Sequence, residues 1–236
     1  PDYISKGQDR NLFSLNEHYF YLHLLRDPNI TWIKEQYPLL PIESKVAIAK
    51  ELGVRHPVYP YSQSVEVVMT VDFYCGTVLG HNVAYSVKDS SEINNLSKLS
   101  QQKKGNFESK QRIEQLYFET QEEDCKWYLI SSDSIKTTYG KNLKRMAPYI
   151  ILSKELSFYL INWLGYFELN LKRFQYLSLA DSLQETAKTL ELSYSDVIAM
   201  FNHSLWHSYI ETDLNIEMDL YSQTSELKLE VNYASN

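Results

Sequence analysis

Apolar and polar residues repeat along this chain with two different periods, and the switches between them mark the elements. In "FSLNEHYFYLHLLRDPNI" apolar and aromatic residues recur at helical spacing and stop at Asp27-Pro28, which predicts a helix over about Ser14–Arg26. "WIKEQYPLLPIES" reads as a short extended segment broken by prolines. "ESKVAIAKELGV" reads as a short helix ended by Gly53, and "RHPVYPYSQS" as a Pro-containing loop. "MTVDFYCGTVLGHNVAYSVKDSS", from Met69 to Ser91, predicts two strands joined by a Gly-bounded turn. A long polar segment with helical stretches follows, and then "CKWYLISSDS", expected to be a buried strand.

Near Ala147 the pattern changes and helices dominate, in "KELSFYLINWLGYF", "LADSLQETAKTL" and "SYSDVIAMFNHSLWHSYI". Two alternating stretches, "NIEMDLY" and "ELKLEVN", are expected to form a closing hairpin. The expectation is therefore an α/β domain over 1–146 and a mainly helical domain over 147–236. In the second, Leu179–Leu190, a turn at "ELS" and Tyr194–Ile210 have the order of a helix-turn-helix with a small wing, against plain helical packing as the alternative.

The strand pair carries the candidate chemistry. Side chains alternate faces along a strand. Val67, Met69, Val71, Phe73 and Cys75 are all apolar, while Glu66, Val68, Thr70, Asp72 and Tyr74 are mixed. In the second strand Val83, Tyr85 and Val87 alternate with Ala84, Ser86 and Lys88. Pairing the two puts Asp72, Ser86 and Lys88 on one mixed face. An acid on one strand and a lysine on the next, two residues after a polar position, is the spacing of metal-dependent nucleases. The alternative is an ordinary solvated strand face. A carboxylate-held Mg²⁺ neutralises the phosphodiester and lowers the pKa of bound water, and a lysine can orient that water or stabilise developing charge. Glu17 adds a third candidate, although Ser14-x-x-Glu17 is also a helix capping box.

Four ordered motifs, "EQYPLLP", "GVRHPV", "VMTVDF" and "YSVK", give residues 12–135 a resemblance to TnsA, the endonuclease subunit of the heteromeric transposases of Tn-seven-like transposons. The resemblance continues more loosely to the C-terminus. It implies a restriction-endonuclease-like N-terminal domain, with a mixed sheet flanked by helices, and a winged-helix-like C-terminal domain that docks partners and DNA. Carried over by motif, the catalytic residues are Glu17, Asp72 and Lys88, and the metal ligands are Glu17, Asp72 and the Val87 carbonyl. Mg²⁺ is the implied metal, with Mn²⁺ as a substitute. Ser86 stands where the usual second acid would be, and Glu114, in "RIEQLYF", is a candidate for a further family acid, with a solvated helix charge as the alternative; both are accessory candidates. The implied activity is hydrolysis at the 5′ ends of a transposon, with a TnsB-like transposase and a TnsC-like AAA+ regulator as partners. A free-standing restriction or repair nuclease and a non-catalytic DNA-binding adaptor are the alternatives.

Composition narrows this picture. The net charge is −7, with 30 acids against 23 bases, so tight DNA binding by the chain alone is not expected. Candidate DNA contacts are Arg55 and His56, in the loop before the hairpin, where the alternative is a turn fixed by the His-Pro pair, and Lys103 and Lys104, in a basic stretch with Lys98, Lys110 and Arg112 whose alternative is a solvated face. No apolar run approaches the length of a membrane helix. Two cysteines, Cys75 and Cys125, cannot build a disulfide scaffold and point to a reducing, cytoplasmic compartment. "PDYISKGQDR" shows no signal-peptide pattern and no Met, so further sequence is expected before it. His203 and His207 have i, i+4 spacing with Glu211 one turn on, a spacing that can bind zinc but that is also common in plain helices.

Overall fold

The computed structural model describes residues 14–62, 64–95, 100–122 and 124–232. The chain divides into two compact units, 1–135 and 136–236. The division falls before the composition change near Ala147 because the helix at Thr137–Met146 packs against the last long helix of the second unit.

The first unit is α/β. Helix α1 (Leu15–Arg26) starts where the Ser14 hydroxyl accepts the Glu17 N–H at 3.1 Å. It ends at Asp27, ahead of Pro28, as the sequence predicts. Strand β1 (Ile30–Pro38) and helix α2 (Ile42–Glu51) follow, the helix closed by Gly53 at φ 65°, a conformation that glycine adopts freely. Strands β2 (Thr70–Thr77) and β3 (Asn82–Lys88) form the predicted hairpin, turning through Gly80 at φ 82°. Helices α3 (Ser90–Asn94) and α4 (Gln101–Gln121) carry the chain back, so β4 (Cys125–Ser131) runs parallel to β3. The sheet order is β1-β2-β3-β4, antiparallel except for the last pair.

The face expected to be mixed is covered as well. Phe73 and Tyr85, on one face, pack against Phe20 of α1 at 5.8 and 5.1 Å between ring centroids. Tyr74 and Ser86, on the other, meet Phe118 and Glu114 of α4. With a helix over each face, Tyr74, Ala84 and Ser86 are buried. The core gathers Leu39, Ile48, Met69, Val71, Tyr74, Ala84, Ile113, Tyr117 and Phe118. Cys75 is buried in the sheet, and burial pushes its thiol up to about 12. Strand β4 departs from its expectation: only Cys125 is buried, while Tyr128 and Leu129 are exposed. It is an edge strand, paired among the described residues with β3 alone.

The second unit is mainly helical. It comprises α5 (Thr137–Met146), α6 (Lys154–Arg173), α7 (Leu179–Thr189), α8 (Tyr194–Trp206) and a two-stranded ribbon, β5 (Ile210–Glu211) with β6 (Glu230–Val231). Ser153, Ser178 and Ser193 cap α6, α7 and α8. Trp163 and Phe167 of α6 stack at 5.1 Å, and the Trp163 indole N–H donates to Thr186 of α7. The α7–α8 pair has the expected short turn, with Glu191 at φ 54°. However, α8 buries Val197, Met200, Phe201, Asn202, Ser204, Leu205 and Trp206, so it is the central packing helix of this unit. The closing hairpin is shorter than its pattern suggests, and "NIEMDLY" is not a strand. Asn142 donates to the carbonyls of Leu214 and Ile216, and Arg145 to that of Met218, so α5 side chains occupy carbonyls a ladder would use. His203 and His207 donate to the carbonyls of Tyr149 and Ile150. These bonds use one ring nitrogen of each histidine, and Glu211 is on β5. No described helix is long and apolar enough to cross a membrane.

Gly76 of β2 lies against the Trp32 indole of β1, which a Cβ would overlap. Gly76→Ala is expected to lower stability by about 1–3 kcal/mol, the usual cost of overpacking, read from the urea unfolding midpoint. An unchanged midpoint would show that Trp32 swings aside freely.

Candidate functional site

The site forms where the hairpin opens. Pairing between β2 and β3 runs from Gly76–Asn82 to Phe73–Tyr85 and stops. One residue further, the Asp72 carboxylate takes the place of a backbone acceptor: its Oδ2 receives the Val87 N–H at 2.7 Å. The same oxygen receives the Lys88 ammonium at 3.2 Å, with the two side chains 14% and 18% exposed. Lys88 also donates to the Val87 carbonyl at 2.9 Å. Three of the residues singled out from sequence (Asp72, Val87 and Lys88) are thus in direct contact.

Glu17 reaches this group from α1. The Ser14 hydroxyl, which caps the helix, also donates to Glu17 Oε1 at 2.9 Å. Oε2 faces the Gln36 amide at 3.4 Å. Gln36 Nε2 also lies 3.3 Å from Asp72 Oδ1. The contact with the N-cap serine and the contact with Gln36 therefore use different oxygens of one carboxylate. Sequence reading did not single out Gln36, although it stands within "EQYPLLP". Its place follows from the β1–β2 register, in which Glu35 pairs with Phe73 and Tyr37 with Val71, leaving Gln36 opposite Asp72. The Thr70 hydroxyl donates to Gln36 Oε1 at 3.0 Å and holds the far end of the amide.

Beneath Asp72, the Ser86 hydroxyl donates to Glu114 Oε2 at 2.5 Å, and both residues are 1% exposed. Burial raises the Glu114 pKa, opposed in part by Lys110, whose ammonium is 3.7 Å from Oε1. Ser86 is thereby engaged with α4.

The expected DNA contacts separate by environment. Arg55, Lys103 and Lys104 are exposed, and Lys104 pairs with Glu108 at 3.8 Å. His56 is buried and its ring donates to the Pro57 carbonyl at 2.9 Å, a bond that shapes the loop. Lys98 lies outside the described residues.

Mg²⁺ is normally held by one or two carboxylates, with water and phosphate oxygens completing the shell. Among the described residues no group of three or more His, Cys, Asp and Glu side chains is arranged for a metal. Glu17 and Asp72, both turned toward one amide, with the Val87 carbonyl sharing the Lys88 ammonium with Asp72, fit that smaller demand. In the structure, N–H groups of Gln36 and Lys88 point at the oxygens a cation would take.

The buried Glu114 makes a pH prediction. Its folded pKa is raised above the ordinary 4.5, so the folded state holds its proton longer than the unfolded chain does. Stability from this group is therefore lost as pH rises above 4.5, levelling off once Glu114 ionises in the folded protein. Glu114→Gln keeps an acceptor for Ser86 and lacks the ionisation. Its stability relative to wild type should rise with pH across that window and be flat below it, measured by urea midpoints from about pH 4 to 8. A pH-independent difference would show that Glu114 carries no raised pKa.

Compared with known proteins, the chain matches no family model and shows no significant similarity to any curated protein, so the reading of the site rests on its geometry and chemistry.

Proposed function

We propose that this chain is a Mg²⁺-dependent DNA endonuclease of the TnsA type. On this reading it hydrolyses the strand at the 5′ ends of a transposon, in the cytoplasm, alongside a TnsB-like transposase and a TnsC-like AAA+ regulator. The observation that carries the proposal is the convergence of Glu17, Asp72, Val87 and Lys88, from one helix and two strands, at the open end of a hairpin. The mixed sheet with a helix on each face supports a restriction-endonuclease-like unit, and the helices with a short ribbon support a winged-helix-like second unit.

The residues divide the work by chemistry. Glu17, Asp72 and the Val87 carbonyl would hold Mg²⁺, which when bound activates water and neutralises phosphate charge. Lys88, bonded to Asp72 and to the Val87 carbonyl, would orient the attacking water or stabilise charge on the phosphate. The Ser86–Glu114 pair supports the strand from which Val87 and Lys88 project. Arg55, Lys103 and Lys104 are the exposed cations for the DNA backbone. The burial of α8 disfavours its insertion into a DNA groove, so docking by the second unit falls to other surfaces. A free-standing restriction enzyme or a non-catalytic adaptor fits less well. The first needs DNA affinity that a net charge of −7 does not favour, and the second has no use for the acid–lysine cluster.

Asp72→Asn retains an acceptor for the Val87 N–H and removes the charge. The folded variant is expected to lose 5′-strand cleavage by about 100-fold or more, which corresponds to about 2.7 kcal/mol of transition-state stabilisation. Near-normal cleavage by that variant would rule out the assigned role.

The decisive assay is 5′-strand nicking of transposon-end DNA in Mg²⁺, with and without the cognate transposase. Little cutting is expected from the chain alone and robust cutting with its partner. Sequence-specific cutting by the chain alone would instead identify a free-standing restriction-type enzyme.

A further inference from the structure

Gln36 is in an unusual position for its residue type. It lies within β1, yet its φ is 47°, in the left-handed region that side chains other than Gly, Asn and Asp seldom occupy. Glycine would relax this backbone. Strain of this kind persists where the surroundings enforce it, and it gathers at ligand sites.

The side chain explains what the strained backbone supports. Ionised carboxylates only accept hydrogen bonds, so the amide NH₂ must face Glu17 and Asp72. One nitrogen thus lies 3.4 Å from a Glu17 oxygen and 3.3 Å from an Asp72 oxygen, bridging two acids as a cation would. The far end of the amide is held by the Thr70 hydroxyl at 3.0 Å. A hydroxyl can donate or accept, and the terminal torsion of glutamine is soft and nearly two-fold. A half-turn of the amide would exchange its ends: Thr70 would then accept from Nε2, and Oε1 would face the space between the acids. Both orientations leave the amide hydrogen-bonded or ligating. Two carboxylates and the Val87 carbonyl leave places in the shell of a hard divalent cation for water or phosphate, and an amide oxygen turned that way would take one of them.

We propose that Gln36 is a side chain of the divalent-cation centre, bridging Glu17 and Asp72 through its N–H groups in the metal-free protein and turning its amide oxygen to the cation when one binds. The proposal rests on the nuclease reading of the site. It differs from a purely structural role because glutamine then matters to metal affinity more than to folding.

The test is Mn²⁺ binding to the full chain by calorimetry, with thermal unfolding of the metal-free protein alongside. Wild type should bind Mn²⁺ and Asp72→Asn should not. Gln36→Gly should weaken binding about tenfold, in the range seen for groups that tune metal ligands, while its metal-free unfolding midpoint stays level or rises. Gln36→Glu should bind at least as tightly as wild type and unfold at lower temperature without metal, because three acids then face one another. Gln36→Asn, which tolerates the same backbone but falls one methylene short, gives the affinity comparison where the glycine variant does not fold. Asp72-dependent binding that is equal in wild type and in the Gln36→Gly or Gln36→Asn variant would overturn the role of Gln36 and leave the nuclease reading standing. Absence of Asp72-dependent Mn²⁺ binding in wild type would overturn the metal centre and this proposal together.

Discussion

The arrangement of the first unit depends on how the Asp72 carboxylate is satisfied at the point where two strands part. A carboxylate removed from water needs donors, and this one has three: the Val87 amide, the Lys88 ammonium and the Gln36 amide. The Val87 amide takes the place of the next rung of the β2–β3 ladder, so opening the sheet leaves that N–H paired. Lys88 supplies a neutralising charge. Gln36 supplies the link to Glu17, whose facing oxygen is no further from that of Asp72 than two hydrogen bonds laid end to end. Two like charges at such range repel by about 2–3 kcal/mol at an effective dielectric constant of about 20. The Lys88 charge offsets that repulsion, and the amide donates to both acids.

Sequence parity was enough to place Asp72 and Lys88 together, because a hairpin with a short turn has little freedom of register. The capping box located Glu17 at the first turn of α1 for the same local reason. Gln36 was not legible, since its role depends on β1 pairing with β2 across about 40 residues and on a backbone angle that no propensity suggests. Burial of the second sheet face was also hidden. A polar helix such as α4 gives little hint that its Ile113, Glu114, Tyr117 and Phe118 form an inward stripe. "CKWYLISSDS" and "NIEMDLY" misled for a shared reason: alternation reports the capacity to form a strand, while neighbours decide burial and pairing. Strand β4 lies at an edge, and the carbonyls of 214–218 are taken by Asn142 and Arg145.

Glu17 shows how one residue can satisfy a local rule and a distant one at once. Capping and metal binding are usually weighed as rivals for such a residue, yet the two carboxylate oxygens face in different directions. The cap holds the helix start, and the helix start holds the second oxygen toward Gln36. Removing the Ser14 hydroxyl would therefore loosen the site as well as the helix, because it orients the same side chain.

The internal hydrogen bonds also bear on why a partner would be needed. Lys88 is committed to Asp72 and to the Val87 carbonyl, and Gln36 to both acids. A phosphate entering this site must compete with those acceptors for Lys88, and the net charge of −7 offers no general attraction to offset that competition. On the proposed reading, affinity for DNA has to come from a surface other than the catalytic cluster. On the same reading, a transposase already holding the transposon end would supply it by raising the local concentration of one scissile strand. On that reading, the bonds that hold Lys88 and Gln36 to the acids would also make the isolated chain a weak binder of its substrate.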